Sequence, residues 1–444
     1  MPRVRWESGK AARGNPPLRV AHPFDPNHRG GQDLRRWNRK VGKFGKERGR
    51  SKGAPTARRR PGTRDSGSCG RFPSCPSFLL NPALVVADPP DGVASWPASA
   101  QPLRALDPLT HGLLGAGLGY AAFGGKLGRS AAVAGALAAL LPDIDVFIRS
   151  AGDPLLAIEH HRGFTHSLIF APVGAVVVAT LAWWRKSGTS TWATWWACCL
   201  VGYLSHCLLD ASTSYGTQLL WPFSNHRAGW DLISIIDPPF TLVLGIGLVV
   251  ALGRRRRGFA VAAIGLAALY LVAGGFQHRR ALAVQADLAA ARGHARERFE
   301  VMPTLGNNLV WRALYVHAGR MYSDRIRVGW FGSAAVREGW SLPVVDEREL
   351  TPAERARDGT TRSFTRFQWF SEGWVARDPA RLMILGDMRY SLSTEAFDPV
   401  WGIRFTQPDE PTAVAWVNRT RERRIDGAEL WQEILGRDPR FVPR

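Results

Sequence analysis

Residues 130–148 read SAAVAGALAALLPDIDVFI, an apolar run whose only charged residues are Asp143 and Asp145. A run of this length is enough for a membrane helix, which needs about 17 to 25 residues. Pro142 should end the helix and leave both carboxylates just beyond it. Carboxylates in such a place are costly unless something pairs with them or coordinates them. The stretch therefore predicts a membrane helix with a polar site at one end.

Similar apolar runs lie on both sides of this stretch. They cover residues 111–124, 168–184, 192–209, 235–252 and 259–276. Several are long enough to span a bilayer, whereas the first is short and rich in glycine. We predict four spanning helices and two shallower ones. The expected fold is mainly α, with a multi-pass membrane helical bundle over residues 106–280.

The pattern changes after residue 280. Residues 281–300 are rich in alanine and predict an amphipathic helix. Short alternating runs follow, such as residues 310–317, 326–331 and 363–375, with glycine and proline between them. These features predict that residues 281–444 form an amphipathic helix and a smaller, extramembrane β-rich domain.

Charge is distributed unevenly along the 444 residues. The net charge is +21, but residues 1–106 alone contribute +14, so the basic excess does not indicate a nucleic-acid partner. Residues 1–105 have no sustained apolar period and are predicted to be a disordered basic segment. Because the apolar pattern begins abruptly near Leu106, we expect this segment to be a misassigned N-terminal extension.

Imidazole and carboxylate side chains concentrate at the ends of the apolar runs. The densest stretch is HHRGFTH at residues 160–166. His206 and Asp210 are spaced i, i+4, which places both on one helix face. Neutral imidazole and carboxylate are ligands of zinc and similar divalent ions. The predicted ligands are His111, Asp143, Asp145, His161, His166, His206 and Asp210.

Other polar residues near these motifs are weaker candidates for the metal site. His160 is secondary, because only one of two adjacent histidines is expected to point inward. Asp231 and Asp237 could supplement the site, although Asp237 before Pro238 equally fits a turn or helix cap. Arg162 suits a substrate phosphate or carboxylate, or else a neighbouring ligand or lipid headgroup. The plainer alternative for all of them is that they are ordinary polar residues at helix ends.

Basic turns predict the orientation in the membrane. Lys126 with Arg129, Arg185 with Lys186, and residues 254–257 lie in alternate turns, which the positive-inside rule assigns to the cytoplasm. The candidate ligands then all fall at the opposite, outer ends of their helices. We expect a multi-pass membrane protein, with the site and the C-terminal domain facing outward.

Several motifs resemble the YdjM-like family of bacterial inner-membrane proteins, described as membrane-bound metal-dependent hydrolases. They are DPLTHG at 107–112, LPDID at 141–145, HHRGFTHS at 160–167, SHCLLD at 205–210, GDMRY at 386–390 and WGIRF at 401–405. The resemblance covers about residues 106–410. It extends distantly to zinc-dependent phospholipase C, which implies as ligands His111, one of Asp143 or Asp145, His166, His206 and Asp210. A His-x-x-x-Glu pair for further ions is missing from the sequence, so the metal count stays open.

Together, the motifs and the resemblance predict a membrane-bound hydrolase with a divalent metal, of the zinc type. The ion would activate water against a phosphoester or lipid-linked substrate, with Asp143, Asp145 and Arg162 as catalytic residues. Membrane lipid is the expected partner. The alternatives are a metal-binding envelope protein without turnover and a transporter of a small solute. The sequence does not indicate the oligomeric state.

Overall fold

The computed structural model describes residues 106–186, 188, 190–391, 393–394, 396–420 and 426–444. The prediction of a disordered, misassigned segment over residues 1–105 lies outside these residues.

The first half of the described chain is helical. Its helices are α1 (Leu106–Leu127), α2 (Ser130–Leu140), α3 (Leu156–His160), α4 (Ala171–Arg185), α5 (Trp192–Ala211), α6 (Pro238–Arg254) and α7 (Arg257–Ala291). Two 3₁₀ turns, Pro142–Phe147 and Phe164–His166, interrupt the series. Pro142 lies at the start of the first of these turns, so α2 ends before it, as expected.

Two helical segments are long and apolar enough to cross a membrane, namely Ser130–Phe147 and Arg257–Ala291. A third is added if Leu156–His166 and Ala171–Arg185, which meet at 77°, are one bent span. The helix Pro238–Arg254 is apolar but shorter. A helical half with two or three candidate spans is therefore present, and the larger number of spans stays a prediction.

Glycines allow α1, α2 and α5 to approach backbone to backbone. A Cβ added to Gly135 of α2 would lie 2.2 Å from the carbonyl oxygen of Gly115 in α1. One added to Gly202 of α5 would lie 2.4 Å from the carbonyl oxygen of Gly135. Small residues at such crossings permit the close contact that stabilises helix pairs in membranes. These three helices carry or lead to most of the candidate ligands.

The second half contains two antiparallel sheets. The first consists of β1 (Arg298–Pro303), β2 (Val310–His317), β3 (Arg320–Arg327), β4 (Ala335–Arg337) and β10 (Val442–Pro443) in that order, with β5 (Ser341–Pro343) also paired with β3. The second has the order β6 (Val375–Arg377), β7 (Ile384–Asp387), β8 (Trp401–Phe405) and β9 (Val414–Asn418). The helices α8 (Pro352–Ala356), α9 (Thr360–Phe370) and α10 (Gly427–Leu435) complete this half. The prediction of a C-terminal β-rich region is confirmed.

The helix α7 joins the two halves. Its buried Gln277 donates a hydrogen bond to the carbonyl oxygen of Val328, and its buried Gln285 donates one to that of Leu314. These bonds satisfy amides that would be costly to bury alone, and they fix the first sheet against the last turns of the helix.

Two predicted elements differ from the structure. The amphipathic helix expected over residues 281–300 is the continuation of α7, which ends at Ala291, and β1 begins at Arg298. Residues 363–375, expected to be extended, are mostly in α9. Phe364, Phe367 and Phe370 are all buried there at a spacing of three residues, which is helical rather than alternating.

Candidate metal centre

One end of the helical half gathers most of the predicted ligands from separate elements. His111 lies in the second turn of α1, and His206 and Asp210 lie in the last turns of α5. Asp143 and Asp145 come from the 3₁₀ turn after α2, and His166 ends the 3₁₀ turn Phe164–His166. Backbone interruptions at helix ends therefore direct these side chains to a common point.

Asp210 lies at the middle of the group. Its Oδ1 is 3.2 Å from His111 Nε2, and its Oδ2 is 3.2 Å from His166 Nε2 and 3.4 Å from His206 Nε2. The residue is buried, and within the described chain neither carboxylate oxygen accepts a well-formed hydrogen bond. Arg162 is an ion-pair partner, with a guanidinium nitrogen 3.0 Å from Oδ1. A buried carboxylate surrounded by imidazole nitrogens in this way has the environment of a metal ligand.

The hydrogen bonds of two histidines show which ring nitrogen faces the centre. His206 Nδ1 is 2.6 Å from the carbonyl oxygen of Ala139, which only accepts, so the proton of the neutral ring is on Nδ1. His166 Nδ1 is 3.0 Å from the hydroxyl of Thr165, which itself donates to Asp145. When both rings are neutral, as in metal ligands, the two Nε2 atoms present lone pairs to each other at 2.9 Å. A cation between or beside them removes the repulsion.

Asp143 closes the group on its more exposed side. Its Oδ1 is 3.6 Å from the Nε2 atoms of both His166 and His206, and its side chain is 30% exposed. Donor atoms of Asp143, His166 and His206 lie within 4.8 Å of one another, and so do those of His111, His206 and Asp210. The two sets share His206, so they describe one cluster of donors.

Asp145 faces the outer edge of the histidines. Its carboxylate is 3.2 Å from His166 Nδ1 and 2.9 Å from His161 Nδ1, and it accepts hydrogen bonds from the Thr165 hydroxyl and the Arg162 backbone N–H. A carboxylate on the far nitrogen of a ligating histidine fixes the tautomer and the ring orientation. Asp143, Asp145 and His161 also form a third set of donors within 4.8 Å.

The charges at this end of the bundle are mostly negative. The carboxylates are Asp107, Asp143, Asp145 and Asp210, and the nearby fixed cation is Arg162, which is buried with φ +59°. Of these carboxylates Asp145 and Asp210 are buried, and a buried carboxylate is costly unless it is paired with a cationic group or binds a cation. The donor types and the charge therefore both fit a divalent ion of the zinc type.

The remaining predicted residues lie outside the donor cluster. His160 is partly exposed and belongs to none of the three donor sets. Asp237 is the N-cap of α6, where it accepts from the backbone N–H of Phe240; its alternative assignment as a helix cap is confirmed. Asp231 is buried, and burial raises its pKa to about 7 against the opposing hydrogen bond from Ser214.

Two residues near the centre were not among the predicted site residues. Asp107 Oδ1 is 3.4 Å from His111 Nε2. The i, i+4 spacing of these residues, the same as that of His206 and Asp210, could have indicated it. Tyr215 lies beneath the Arg162 guanidinium, 4.7 Å from the ring centroid, and contacts His161 edge-on.

The part of the chain that contains the candidate ligands is also the part that resembles known proteins. Residues 106–281 match the family described as YdjM inner membrane protein. The family resemblance is thus confirmed over the segment that carries the candidate ligands. No solved structure matches the chain significantly. The distant likeness to zinc-dependent phospholipase C stays a prediction.

Two curated relatives extend the comparison. The chain is 37% identical over 115 residues to Inner membrane protein YbcI of Escherichia coli (strain K12), which is 24% of this chain and 63% of that protein. It is 30% identical over 98 residues to Uncharacterized protein YfhP of Bacillus subtilis (strain 168), which is 22% of this chain and 29% of that protein. The chain thus covers less than two thirds of either relative. The YdjM match and the apolar helices support a location in the inner membrane.

Proposed function

We propose that the protein is a membrane-bound hydrolase with a divalent metal centre of the zinc type, acting on a phosphoester or lipid-linked substrate. The observation that carries this proposal is the approach of the Nε2 atoms of His166 and His206, 2.9 Å apart beside the carboxylate of Asp210. His111 completes the donor set, and Asp143 lies at its open side. The proposed location at the outer face of the membrane makes lipid the natural substrate class.

A bound divalent ion supplies a nucleophilic water at neutral pH and polarises the scissile oxygen. The protein's own side chains then have separate roles. Asp143 is partly exposed at the open side and is the carboxylate best placed to take a proton from the attacking water. Asp145 orients His166 and His161. Arg162 is buried against Asp210 and Thr213, which supports a positioning role for it.

Metal content tests the centre directly. We expect the protein purified in detergent to retain a divalent metal, and His166→Ala and His206→Ala each to lose most of it. His160→Ala is the matched control, because His160 is in the same segment but outside the donor sets. Full metal content in both the His166 and the His206 variants would overturn the shared centre.

Hydrolysis is tested separately, with bis(p-nitrophenyl) phosphate as a phosphodiester. We expect Asp143→Asn to reduce turnover by about 100-fold or more, in line with the loss of a general base, while metal content falls less than in His206→Ala. Retained metal without turnover in the parent protein would favour the non-catalytic metal-binding alternative. Helix-end rather than mid-helix positions of the polar residues weigh against a transporter.

A further inference from the structure

Three arginines form a row across the first sheet. In the register of the antiparallel strands, Arg312 of β2 is opposite Arg325 of β3, and Arg325 is opposite Arg337 of β4. Directly opposite residues project from the same face of a sheet, and like charges in such pairs are destabilising. All three side chains are nevertheless buried, with 4%, 9% and 6% of their surface exposed. Each of these buried guanidinium groups therefore needs polar or acidic partners.

Part of the compensation comes from α10 and the residues after it. Glu433 lies 3.1 Å from Arg337 and 3.7 Å from Arg325, and Asp438 lies 3.1 Å from Arg337. Burial lowers the pKa of Arg325, the Glu433 carboxylate opposes that shift, and Arg337 adds to it. Arg312 donates to the carbonyl oxygens of Ser391 and Ser393. These contacts hold the row in place.

The row lines a cavity of about 740 Å³ between the sheets and the loop that precedes α6. This volume lies within the ~300–1,000 Å³ typical of small-molecule sites. Beside the guanidinium groups, the wall includes apolar side chains such as Ile236, Trp401 and Leu430. The wall also includes four carboxylates, those of Asp398, Asp426, Glu429 and Glu433, against six arginines, namely the row with Arg389, Arg419 and Arg440. Because the arginines outnumber the carboxylates, one occupant would meet a net cationic wall beside apolar side chains.

We propose that this cavity binds a ligand through a phosphate group held by Arg312, Arg325 and Arg337. A phosphate has more acceptor oxygens than a carboxylate, spread over a tetrahedron, and can accept from more than one guanidinium fork. The phosphate belongs either to a lipid headgroup or to a small soluble phosphate. The site is separate from the candidate metal centre and does not rest on the proposed hydrolase activity.

The test is calorimetric titration of the full chain in nonionic detergent with two probes, inorganic phosphate and dihexanoyl phosphatidic acid below its micelle concentration. We expect Arg312→Gln and Arg325→Gln each to weaken binding about tenfold or more, the usual loss for a charged hydrogen-bond donor. Glu433→Gln should tighten binding, because it removes a carboxylate that competes for the same arginines. Arg348→Gln, in an exposed turn of the same half, is the control and should change nothing.

The outcomes distinguish a lipid headgroup from a soluble phosphate, and binding in the cavity from binding at the metal centre. Tighter binding of phosphatidic acid than of phosphate, with the difference lost in Trp401→Ala, identifies a lipid headgroup; equal affinities identify a soluble phosphate. Binding that persists in His206→Ala assigns it to the cavity rather than to an ion at the metal centre. The proposal is overturned if neither probe binds, if Arg312→Gln and Arg325→Gln bind like the parent, or if Glu433→Gln weakens binding as they do.

Discussion

Asp145 contacts the candidate metal centre only through other side chains. Its carboxylate contacts the Nδ1 atoms of His161 and His166 and accepts a hydrogen bond from the Thr165 hydroxyl. Because such carboxylates orient a ligand without binding the ion, we predict that Asp145→Asn lowers metal affinity about 10- to 100-fold without abolishing binding. Competition with a chelator measures this. Asp409→Asn, an exposed substitution, is the control, and equal affinities in the parent and Asp145→Asn would contradict the assignment.

Which of the two aspartates faces the metal was not predictable from their spacing. A 3₁₀ helix has three residues per turn, so side chains two positions apart point in directions about 120° apart. Asp143 and Asp145 therefore cannot both point directly at the metal centre. The sequence showed that at least one could reach the centre. Only the path of the turn Pro142–Phe147 puts Asp143 near both Nε2 atoms and Asp145 behind His166.

Asp231 is the residue from which we expect a pH effect on stability. Burial raises its pKa from 3.8 to about 7, and Glu372 and Arg389 act on it in opposite directions. The folded protein therefore keeps a proton that the unfolded chain has lost, so stability falls as pH rises from about 4 to about 7. Glu300 on β1 also faces this carboxylate, and its own pKa is raised by burial and by Asp231.

Asp231→Asn removes this titration while keeping the side-chain shape, and asparagine tolerates the positive φ of 54° at this position. We predict that the variant is more thermostable than the parent at pH 8, with a smaller difference at pH 4.5. Thermal unfolding in detergent at both values measures it, with Asp409→Asn as the reference. Parallel pH profiles for the parent and Asp231→Asn would show that another group controls the dependence.

At the scale of single elements, the spacing of apolar residues along the sequence decided which predictions were confirmed. Residues 310–317 form β2 as expected, because its residues pair in a regular antiparallel register with β1 and β3. Residues 363–375 contain the aromatic residues that favour strands, yet their phenylalanines recur every three positions and pack on one face of α9. Tertiary packing of that face overrides the strand preference of the individual residues.

The crossing of α1, α2 and α5 depends on glycines, which gives a prediction for Gly135. Its added Cβ would lie 2.2 Å from the Gly115 carbonyl oxygen, a backbone atom that cannot move without separating the helices. We expect Gly135→Ala to destabilise the protein by about 1–3 kcal/mol through overpacking, and to lower metal content because the helices position the ligands. Thermal unfolding and metal analysis are the measurements.

Gly265→Ala is the matched control for this helix crossing. Gly265 lies within α7, and its added Cβ meets nothing within 4 Å. The same substitution there should have little effect or stabilise slightly, as expected from the higher helix propensity of alanine. Equal losses of stability at both positions would mean that helix contact is not the cause.

At the scale of the whole molecule, α7 relates the two halves to the membrane. A helix of 35 residues is about 52 Å long at 1.5 Å per residue, whereas the hydrocarbon core is about 30 Å thick. Its apolar residues 259–276 suffice to cross, so the last turns extend beyond the bilayer and carry the first sheet. The second half also contacts Tyr215, beneath Arg162, through Phe370 and Trp401. We therefore predict that the sheets and the candidate metal centre lie on one side of the membrane, opposite the basic turn at residues 254–257.

The length of α7 supports the predicted membrane topology independently of the basic turns. The positive-inside rule assigns the basic turn at residues 254–257 to the cytoplasm, so the C-terminus should be periplasmic. We predict that alkaline phosphatase fused after Arg444 is active and that the same enzyme fused after Lys186 or Arg257 is inactive, with a cytoplasmic fluorescent reporter giving the reverse pattern. An inactive enzyme after Arg444 with active enzyme at the other two positions would invert the orientation. The metal centre would then face the cytoplasm, and lipid-linked substrates of the outer face would be excluded, while the ligand set itself would be unaffected.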